Sequence, residues 1–379
     1  MPAMVATKRG FRRREPGITS GMNDIGPVGP LLADVRRIAV LRGGGLGDLM
    51  FVLPALAALR AAYPVAQLVL LGTPSHAELL AGRPGPVDLV EVLPVATGVH
   101  QSRPTGTTDL PTQTEFFRRA GRFDLAVQAH GGGRWSNPFL RRLGARHTIG
   151  TRTPDAEPLD GELPYRYHQH EALRWLELIG LVGATGPVRA RLAVTDADRA
   201  ATPDLPRPLV TVHPGATDPR RRWPAAGFAA VAAWLAASGV GVVVIGSADE
   251  GTLVADVVRR ADHPLVRGLA GRLSLAGLVG TLAVSAVVLA NDSGPRHIAD
   301  AIGVPTVSVF WCGNVINAAP FGRGRHRVHI GWTTRCPACG HDLTVPNGQM
   351  CDHEDSWVAG VTAEGVLADV CDLLSRRSP

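Results

Sequence analysis

Residues 286–310, AVVLANDSGPRHIADAIGVPTVSVF, narrow the fold more than any other stretch of the chain. Residues 286–290 form a short apolar run that reads as a buried strand. Asn291-Asp292-Ser293-Gly294 breaks it. Pro295 suits a helix start, and Asp292 or Ser293 is placed to cap that start. The helix through Ile302 stops at Gly303, and Pro305 opens the next apolar run. Strand, turn, helix and strand in so short a span make a βαβ unit. A strand that feeds a helix N-terminus through Ser and Gly is also a place to hold an anion, because the backbone N–H groups and the helix dipole both point there. An ordinary capped turn uses the same residues, so the turn alone leaves both readings open.

The same alternation runs along the rest of the chain. A strand at 37–41 leads into the glycine-rich loop 42–48 and an apolar helix at 49–63, in which Pro54 forces a kink or a late start. Strands follow at 67–72, 87–93 and 123–127, and a helix at 171–181. Residues 99–113 are polar, Pro- and Thr-rich, and read as a mobile loop. After a connection at 187–204, strands at 209–212 and 241–246 alternate with helices ending near 238 and spanning 253–260 and 273–285. A last helix starts at 363. Two βα arrays joined by a linker predict an α/β protein. It would have two Rossmann-like, doubly wound parallel-sheet domains facing a central cleft, lined by loops at the carboxyl ends of the strands. A length of 379 residues also favours two domains. The expected boundaries are a disordered basic leader at 1–35, a first domain at 36–190, a second at 191–357, and a C-terminal helix at 358–379 packing back on the first domain.

Charge excludes some functions. The net charge is +6, but residues 1–15 hold five basic side chains and only one acid, so the rest is nearly balanced. No basic stripe is interleaved with aromatics, and nucleic acid is not an expected partner. The leader permits at most peripheral contact with an anionic membrane, and a start at Met22 would remove it. No apolar segment follows its arginines as in a signal peptide. The uncharged runs 224–248 and 273–291 are long enough to span a membrane, but glycines and small polar residues split each into a helix and a strand. A cytoplasmic, monomeric protein is expected. Five cysteines clustered late in the chain do not resemble a secreted disulfide framework. Cys336-Pro-Ala-Cys339 is half of a zinc knuckle, which Cys351 with His353 or His341 would complete; a dithiol or disulfide is the other reading.

The loop after the first strand, Arg42-Gly43-Gly44-Gly45-Leu46-Gly47-Asp48, is neither a dinucleotide fingerprint nor a P-loop. Met50 stands where the fingerprint needs glycine, and no Gly-Lys-Ser/Thr follows. No Gly-x-Ser-x-Gly supports a serine hydrolase. Asp48 is either a helix cap or a general base that takes the proton of an attacking hydroxyl. Gly44, Gly45 and Gly47 would let a substrate approach the backbone. His213-Pro-Gly-Ala-Thr217 ends a strand and precedes Arg220, Arg221 and Arg222, which fit either a diphosphate clamp or a solvated turn. Asp196-x-Asp198 has the form of a metal-binding pair but reads better as a helix start.

These residues together resemble glycosyltransferase family 9, the heptosyltransferases. Gly47-Asp48-Leu49-Met50 with Pro54, Leu59-Arg60 and Tyr63-Pro64 looks like the family's first motif. His213-Pro214-Gly215-Ala216 with Arg221, Arg222, Trp223 and Pro224 is similar to its second. Asn291-Asp292-Ser293-Gly294-Pro295 with His297 and Gly303-Val304-Pro305 is similar to its third. The resemblance implies a GT-B fold and an inverting, metal-independent transfer of a heptose from ADP-heptose, or a related donor, to a hydroxyl of a glycan, lipopolysaccharide core or small natural product. By position it implies that Asp48 is the catalytic base, that Thr217 and Arg221 (with Arg222 beside it) bind phosphate, and that Glu250 lies near the donor ribose. It places Leu273 beside the adenine, with Asp292, Ser293, Gly294 and His297 in the donor-sugar and diphosphate loop. The family usually has Lys where this chain has Arg221. An epimerase or hydrolase of the same fold, or a non-catalytic nucleotide-sugar-binding protein, remains an alternative at this point.

Overall fold

A computed structural model describes residues 25–100, 110–345 and 351–376. The start of the leader and most of the loop at 99–113 lie outside them. The first half contains β1 (Arg37–Leu41), α1 (Leu46–Ala62), β2 (Gln67–Gly72), α2 (Pro74–Leu80), β3 (Leu89–Val92), α3 (Leu110–Ala120), β4 (Leu125–Gln128), α4 (Ser136–Arg141), β5 (His147–Arg152), β6 (Gly161–Pro164) and α5 (Glu171–Gly180). The short α6 (Asp196–Ala200) lies in the connection. The second half contains β7 (Leu209–His213), α7 (Ala225–Ala237), β8 (Gly241–Val244), α8 (Gly251–Ala261), β9 (Val266–Gly268), α9 (Leu275–Val284), β10 (Val287–Asn291), α10 (Gly294–Ala301), β11 (Thr306–Trp311), α11 (Cys312–Ala318), β12 (His326–Gly331) and α12 (Ala363–Ser375).

Each half is a six-stranded parallel sheet, in the orders β3-β2-β1-β4-β5-β6 and β12-β11-β10-β7-β8-β9. The central strands are Val-, Leu- and Ala-rich and buried on both faces, as sheets covered by helices on both sides require. In each order the direction of winding reverses once, between β1 and β4 and between β10 and β7. Such a reversal leaves a crevice at the strand carboxyl ends where ligands bind.

Four expectations change. Pro54 neither kinks α1 into two pieces nor delays it: the helix runs from Leu46 to Ala62 with Pro54 inside. Proline in a helix interior costs about 3 kcal/mol, and here burial offsets it, since Leu49, Val52, Leu53, Leu56 and Leu59 are all buried between α5 and α10. The C-terminal helix does not return to the first domain. Val366, Val370 and Leu373 face the second sheet's core, α12 packs on α7, and Arg327 of β12 pairs with Asp369 and Asp372. Residues 25–35 of the leader are packed: Gly29 N–H donates to the Gly180 carbonyl (2.7 Å), Leu32 N–H to Tyr63 Oη (3.1 Å), and Val35 is buried. The segment 99–113 ends in a helix, where buried Gln113 donates to the Val95 carbonyl and accepts from Arg142.

The halves are joined by packing and polar contacts. Helix α1 lies against α10. Arg83 forks onto Asp198 at 2.6 and 2.8 Å with both side chains buried. Asp198 also accepts from Thr195 N–H in a capping box, so it is fully engaged as a structural residue. His170 Nε2 reaches the Ala319 carbonyl (2.9 Å), and Asn317 donates to the Tyr167 carbonyl (2.6 Å). A cavity of about 40 Å³ in this joint, among Phe51, His170, Arg296 and Phe321, has room for water and not for a substrate.

Candidate active site

The loop after β1 crosses the first reversal point. Gly44 has φ +89°, and a Cβ there would stand 2.4 Å from Asp48 Oδ2. Only glycine allows both the turn and the approach of the carboxylate. Asp48 is the third residue of α1. Its Oδ2 accepts from Gly45 N–H (2.8 Å), and its Oδ1 is paired with Arg42. It therefore caps the helix while its side chain stays 43 % exposed to the cleft. Burial pushes its pKa up, but the Arg42 charge, the Gly45 amide and the nearby His130 and His76 outweigh this and hold it below the usual carboxylate range. Asp48 is thus an ionised, partly open carboxylate at neutral pH.

Arg42 was not singled out by the sequence motifs. It is 4 % exposed, donates to the Ala129 carbonyl (2.9 Å), and lies between Asp48 and Glu171 with Trp175 5.1 Å away. Glu171 in turn pairs with buried Arg174. A cation at the end of an apolar strand, just before a glycine loop, was the available signal. His130 accepts from Gly43 N–H (3.2 Å) and donates to the Gly98 carbonyl (3.2 Å), the pattern of a neutral ring. Burial and the Arg42 charge lower its pKa to about 4. His130, Gly44, Thr73, Ser75 and His100 line an open cleft of about 620 Å³ on this side.

The second reversal point lies between β7 and β10. Helix α10 begins at Gly294 with no side-chain cap. The hydroxyl of Ser293 is instead hydrogen-bonded to His213 Nδ1 (3.0 Å), and His213 Nε2 faces Glu250 at 3.4 Å. Burial raises the Glu250 pKa, but the His213 hydrogen bond and charge and the Ser247 contacts dominate and bring it to about 2. Asn291, fully buried, accepts from Trp223 N–H and donates to the Pro214 carbonyl, so it ties the loops after β7 and β10 together.

A cleft of about 480 Å³ opens here, within the range of nucleotide-sized ligand sites. Its lining combines apolar side chains, Ile245, Leu273, Leu275 and Leu278, with the polar His213, Thr217, Arg222, Glu250 and Ser293 and the start of α10 at Gly294. Leu46, from the first half, also lines it.

Six of the expected donor residues therefore share one cleft: Thr217, Arg222, Glu250, Leu273, Ser293 and Gly294. Asp292, His297 and Arg221 stand beside it. Asp292 accepts from His297 Nε2 (2.9 Å) and Asn314 Nδ2 (2.6 Å), with Arg221 at 3.7 Å. Burial opposes ionisation of Asp292, but these partners, His297 first, bring its pKa to about 2. His297 has no ring nitrogen left for a phosphate, since Nδ1 accepts from Arg296 (2.9 Å); burial and the Arg296 charge lower its pKa. The three arginines also separate. Arg220 is forked onto Asp218, Arg222 donates twice to the Ala216 carbonyl, and Arg221 points to Asp292. The two reversal points nearly touch: a Cβ on Gly47 would lie 3.1 Å from His297 Cδ2 and 3.9 Å from Gly294 Cα.

Away from the clefts, Cys336, Cys339, Cys351 and His353 bring their ligand atoms within 4.8 Å of one another. The fourth member is His353, not His341.

Comparison with known proteins agrees with this architecture. The family model for glycosyltransferase family 9 (heptosyltransferase) matches residues 119–341. Lipopolysaccharide heptosyltransferase 1 of Pseudomonas aeruginosa is 29 % identical over 324 residues, covering 80 % of this chain and 86 % of that protein. The solved structure of a family 9 glycosyl transferase from Veillonella parvula aligns with a TM-score of 0.71 at 19 % identity, covering 90 % of this chain and 97 % of the other. The E. coli ADP-heptose lps heptosyltransferase II aligns at 0.68 and 19 %, covering 90 % and 99 %. These low-identity structures establish the fold, two Rossmann-like domains in the GT-B arrangement. The family match spans more than half of the sequence, and the chain belongs to glycosyltransferase family 9.

Proposed function

We propose that this glycosyltransferase moves a heptose from ADP-heptose to a hydroxyl of a lipopolysaccharide inner-core acceptor, by an inverting, metal-independent mechanism. The observation that carries the reading is the close approach of the Gly47 turn, next to the ionised carboxylate Asp48, to the uncapped helix start Ser293–Gly294. The donor's adenine fits the second cleft against Leu273, and its ribose fits beside Glu250. Its diphosphate fits the Gly294 amide, Thr217, Ser293 and Arg222. Donor sugar and acceptor then meet at Asp48. The ADP-heptose named for the E. coli relative and the lipopolysaccharide named for the Pseudomonas relative support this choice of donor and acceptor.

In the mechanism, Asp48 accepts the proton of the acceptor hydroxyl as its oxygen attacks the anomeric carbon. Attack from the face opposite ADP inverts that centre. Charge developing on the ADP leaving group is met by backbone amides, the α10 dipole and Arg222, which supply positive charge without a divalent ion. Arg42 keeps Asp48 charged and aimed, and closure of the gap excludes water.

The test is ADP release from ADP-heptose, with and without a Kdo–lipid A acceptor, repeated with EDTA and with Asp48→Asn. Release that requires acceptor, survives EDTA and is lost in the variant supports the proposal. Release without acceptor makes the protein a hydrolase. ADP-heptose binding without turnover on any glycan acceptor makes it a binding protein.

A further inference from the structure

The segment between β12 and α12 is used by neither cleft, yet it has the most specific chemistry outside them. Residues 333–343 form a tight hairpin: Leu343 N–H donates to the Thr334 carbonyl (2.9 Å), Cys336 N–H to the His341 carbonyl (2.8 Å) and Gly340 N–H to the Cys336 carbonyl (2.9 Å). Gly340, at φ +72°, makes the turn. Within it the backbone N–H groups of Ala338 and Cys339 hydrogen-bond the Cys336 sulfur. This is the fold of a metal knuckle: two cysteines two residues apart, with amides turned onto the first sulfur. Cys351 and His353 approach from the far side, and all four ligand atoms lie within 4.8 Å of one another. Four ligands around a tetrahedral zinc with Zn–S near 2.3 Å stand roughly 3.8 Å apart, so the cluster needs only a small contraction.

We propose that Cys336, Cys339, Cys351 and His353 hold a structural zinc ion that fastens residues 351–357 against the 218–222 turn of the nucleotide cleft. Three thiolates and one imidazole select zinc among the common divalent ions by softness and geometry. They also fill its coordination sphere, which gives it a structural role. Three thiolates on Zn²⁺ leave one negative charge, and Arg220, forked onto Asp218, borders the cluster. Arg220 Nη1 donates to the Cys351 carbonyl (3.0 Å), and its guanidinium lies 4.5 Å from the Trp357 ring. Arg220, next to the two arginines assigned to the donor side, is held away from the cleft by Asp218 and by this contact. The strap holds the turn at two further points: Trp357 N–H donates to the Arg220 carbonyl (2.7 Å), and Ser356 Oγ to the Arg222 carbonyl (2.7 Å). Arg222 lines the nucleotide cleft. Zinc therefore acts on the nucleotide through the backbone of this turn; that second half of the proposal rests on the donor reading above, while the first does not.

Metal content of the full chain, purified without a metal-affinity tag, tests the site itself. One zinc per chain is expected by elemental analysis. Cobalt(II) substitution is expected to give a tetrahedral thiolate spectrum. Cys339→Ser with His353→Ala, both at exposed positions, is expected to lose the metal, while Cys312→Ser, outside the cluster, keeps it. Zinc below a tenth of an equivalent with no cobalt uptake, zinc retained in the double variant, or a Cys336–Cys339 disulfide in the purified protein overturns the site. Iron in place of zinc overturns the choice of metal. Calorimetry with ADP tests the coupling: removal of zinc by a chelator is expected to weaken ADP about fivefold or more, reversed by adding zinc back. Unchanged ADP affinity in zinc-free protein overturns the coupling. If zinc-loaded protein binds no ADP at all, the donor reading fails and the site stands.

Discussion

The two reversal points share a strand order and differ in what they do with charge. Between β1 and β4 the polar groups turn inward onto one acid: Arg42, the Gly45 amide, His76 and His130 all favour the charged form of Asp48. Between β7 and β10 the acids are satisfied by histidines, and the helix start is left without a cap. One half maintains a partly exposed negative charge; the other leaves its helix start uncapped, where the proposed donor would place its diphosphate. Topology fixed where each crevice lies, and a few side chains decided the sign of its partner.

The largest test of that division is Asp48→Asn. The amide keeps an oxygen for Gly45 N–H and removes the base, so kcat is expected to fall by about 10²–10⁴. ADP affinity is expected to stay unchanged, because Asp48 does not line the second cleft. An equal loss of ADP binding in calorimetry would mean that the halves do not divide the work. Arg42→Met comes next. It strips a buried cation from Asp48 and Glu171 at once, and because Glu171 keeps Arg174 and Asp48 is partly open, a moderate loss of stability is expected by urea unfolding. With its largest favourable charge gone, the Asp48 pKa rises. The acid side of the pH–rate profile therefore moves to higher pH.

Acid titration separates Glu250 from His130 by window. Glu250 drops from 4.5 to about 2 on folding. A depressed carboxylate stabilises the fold above its unfolded pKa, and that contribution is lost as pH falls from 4.5 towards 2; it amounts to roughly 3 kcal/mol at most. Glu250→Gln is expected to flatten unfolding free energy across this window. His130 in the first half acts at higher pH. Its folded pKa of about 4 lies below the ordinary 6.5, so the unfolded chain takes up the proton first and stability falls as pH drops from 6.5 to 4. His130→Asn is expected to flatten that upper window only. Interchanged windows would break the assignment of each acid response to its residue.

Much of this was legible in the sequence, because short apolar runs, glycine loops and proline or glycine stops are local signals. The two βα arrays and the residues at their strand ends followed from them. What was not legible depended on distant partners. Arg42 carries a local signal, a cation between an apolar strand and a glycine loop, but its pairing with Glu171 is remote in sequence. Of three adjacent arginines, the sequence could not tell that Arg220 is taken by Asp218 and the Cys351 carbonyl. That α12 buries Val366, Val370 and Leu373 against the second sheet and not the first is a tertiary fact. Pro54 misled for a related reason: the local penalty of proline was outweighed by burial of α1 between α5 and α10.

The smallest expected effect tests the gap itself. Gly47 has ordinary backbone angles, so alanine is allowed there by conformation, and only its methyl group matters. That methyl would meet His297 Cδ2 at 3.1 Å, closer than a relaxed contact, with the His297 ring fixed by Asp292, Arg296 and Phe51. The ring has little freedom to move aside, so the halves must part by a few tenths of an ångström. The core that the two halves share is otherwise untouched, and Gly47→Ala is expected to fold normally and bind ADP within about twofold of wild type. The attack geometry spans the gap, so kcat is expected to fall about threefold to tenfold. Unchanged kcat in steady-state assays would mean that the contact at Gly47 does not align Asp48 with the donor; an equal fall in ADP affinity would mean that the methyl group acts on α10 and not on the spacing between the halves.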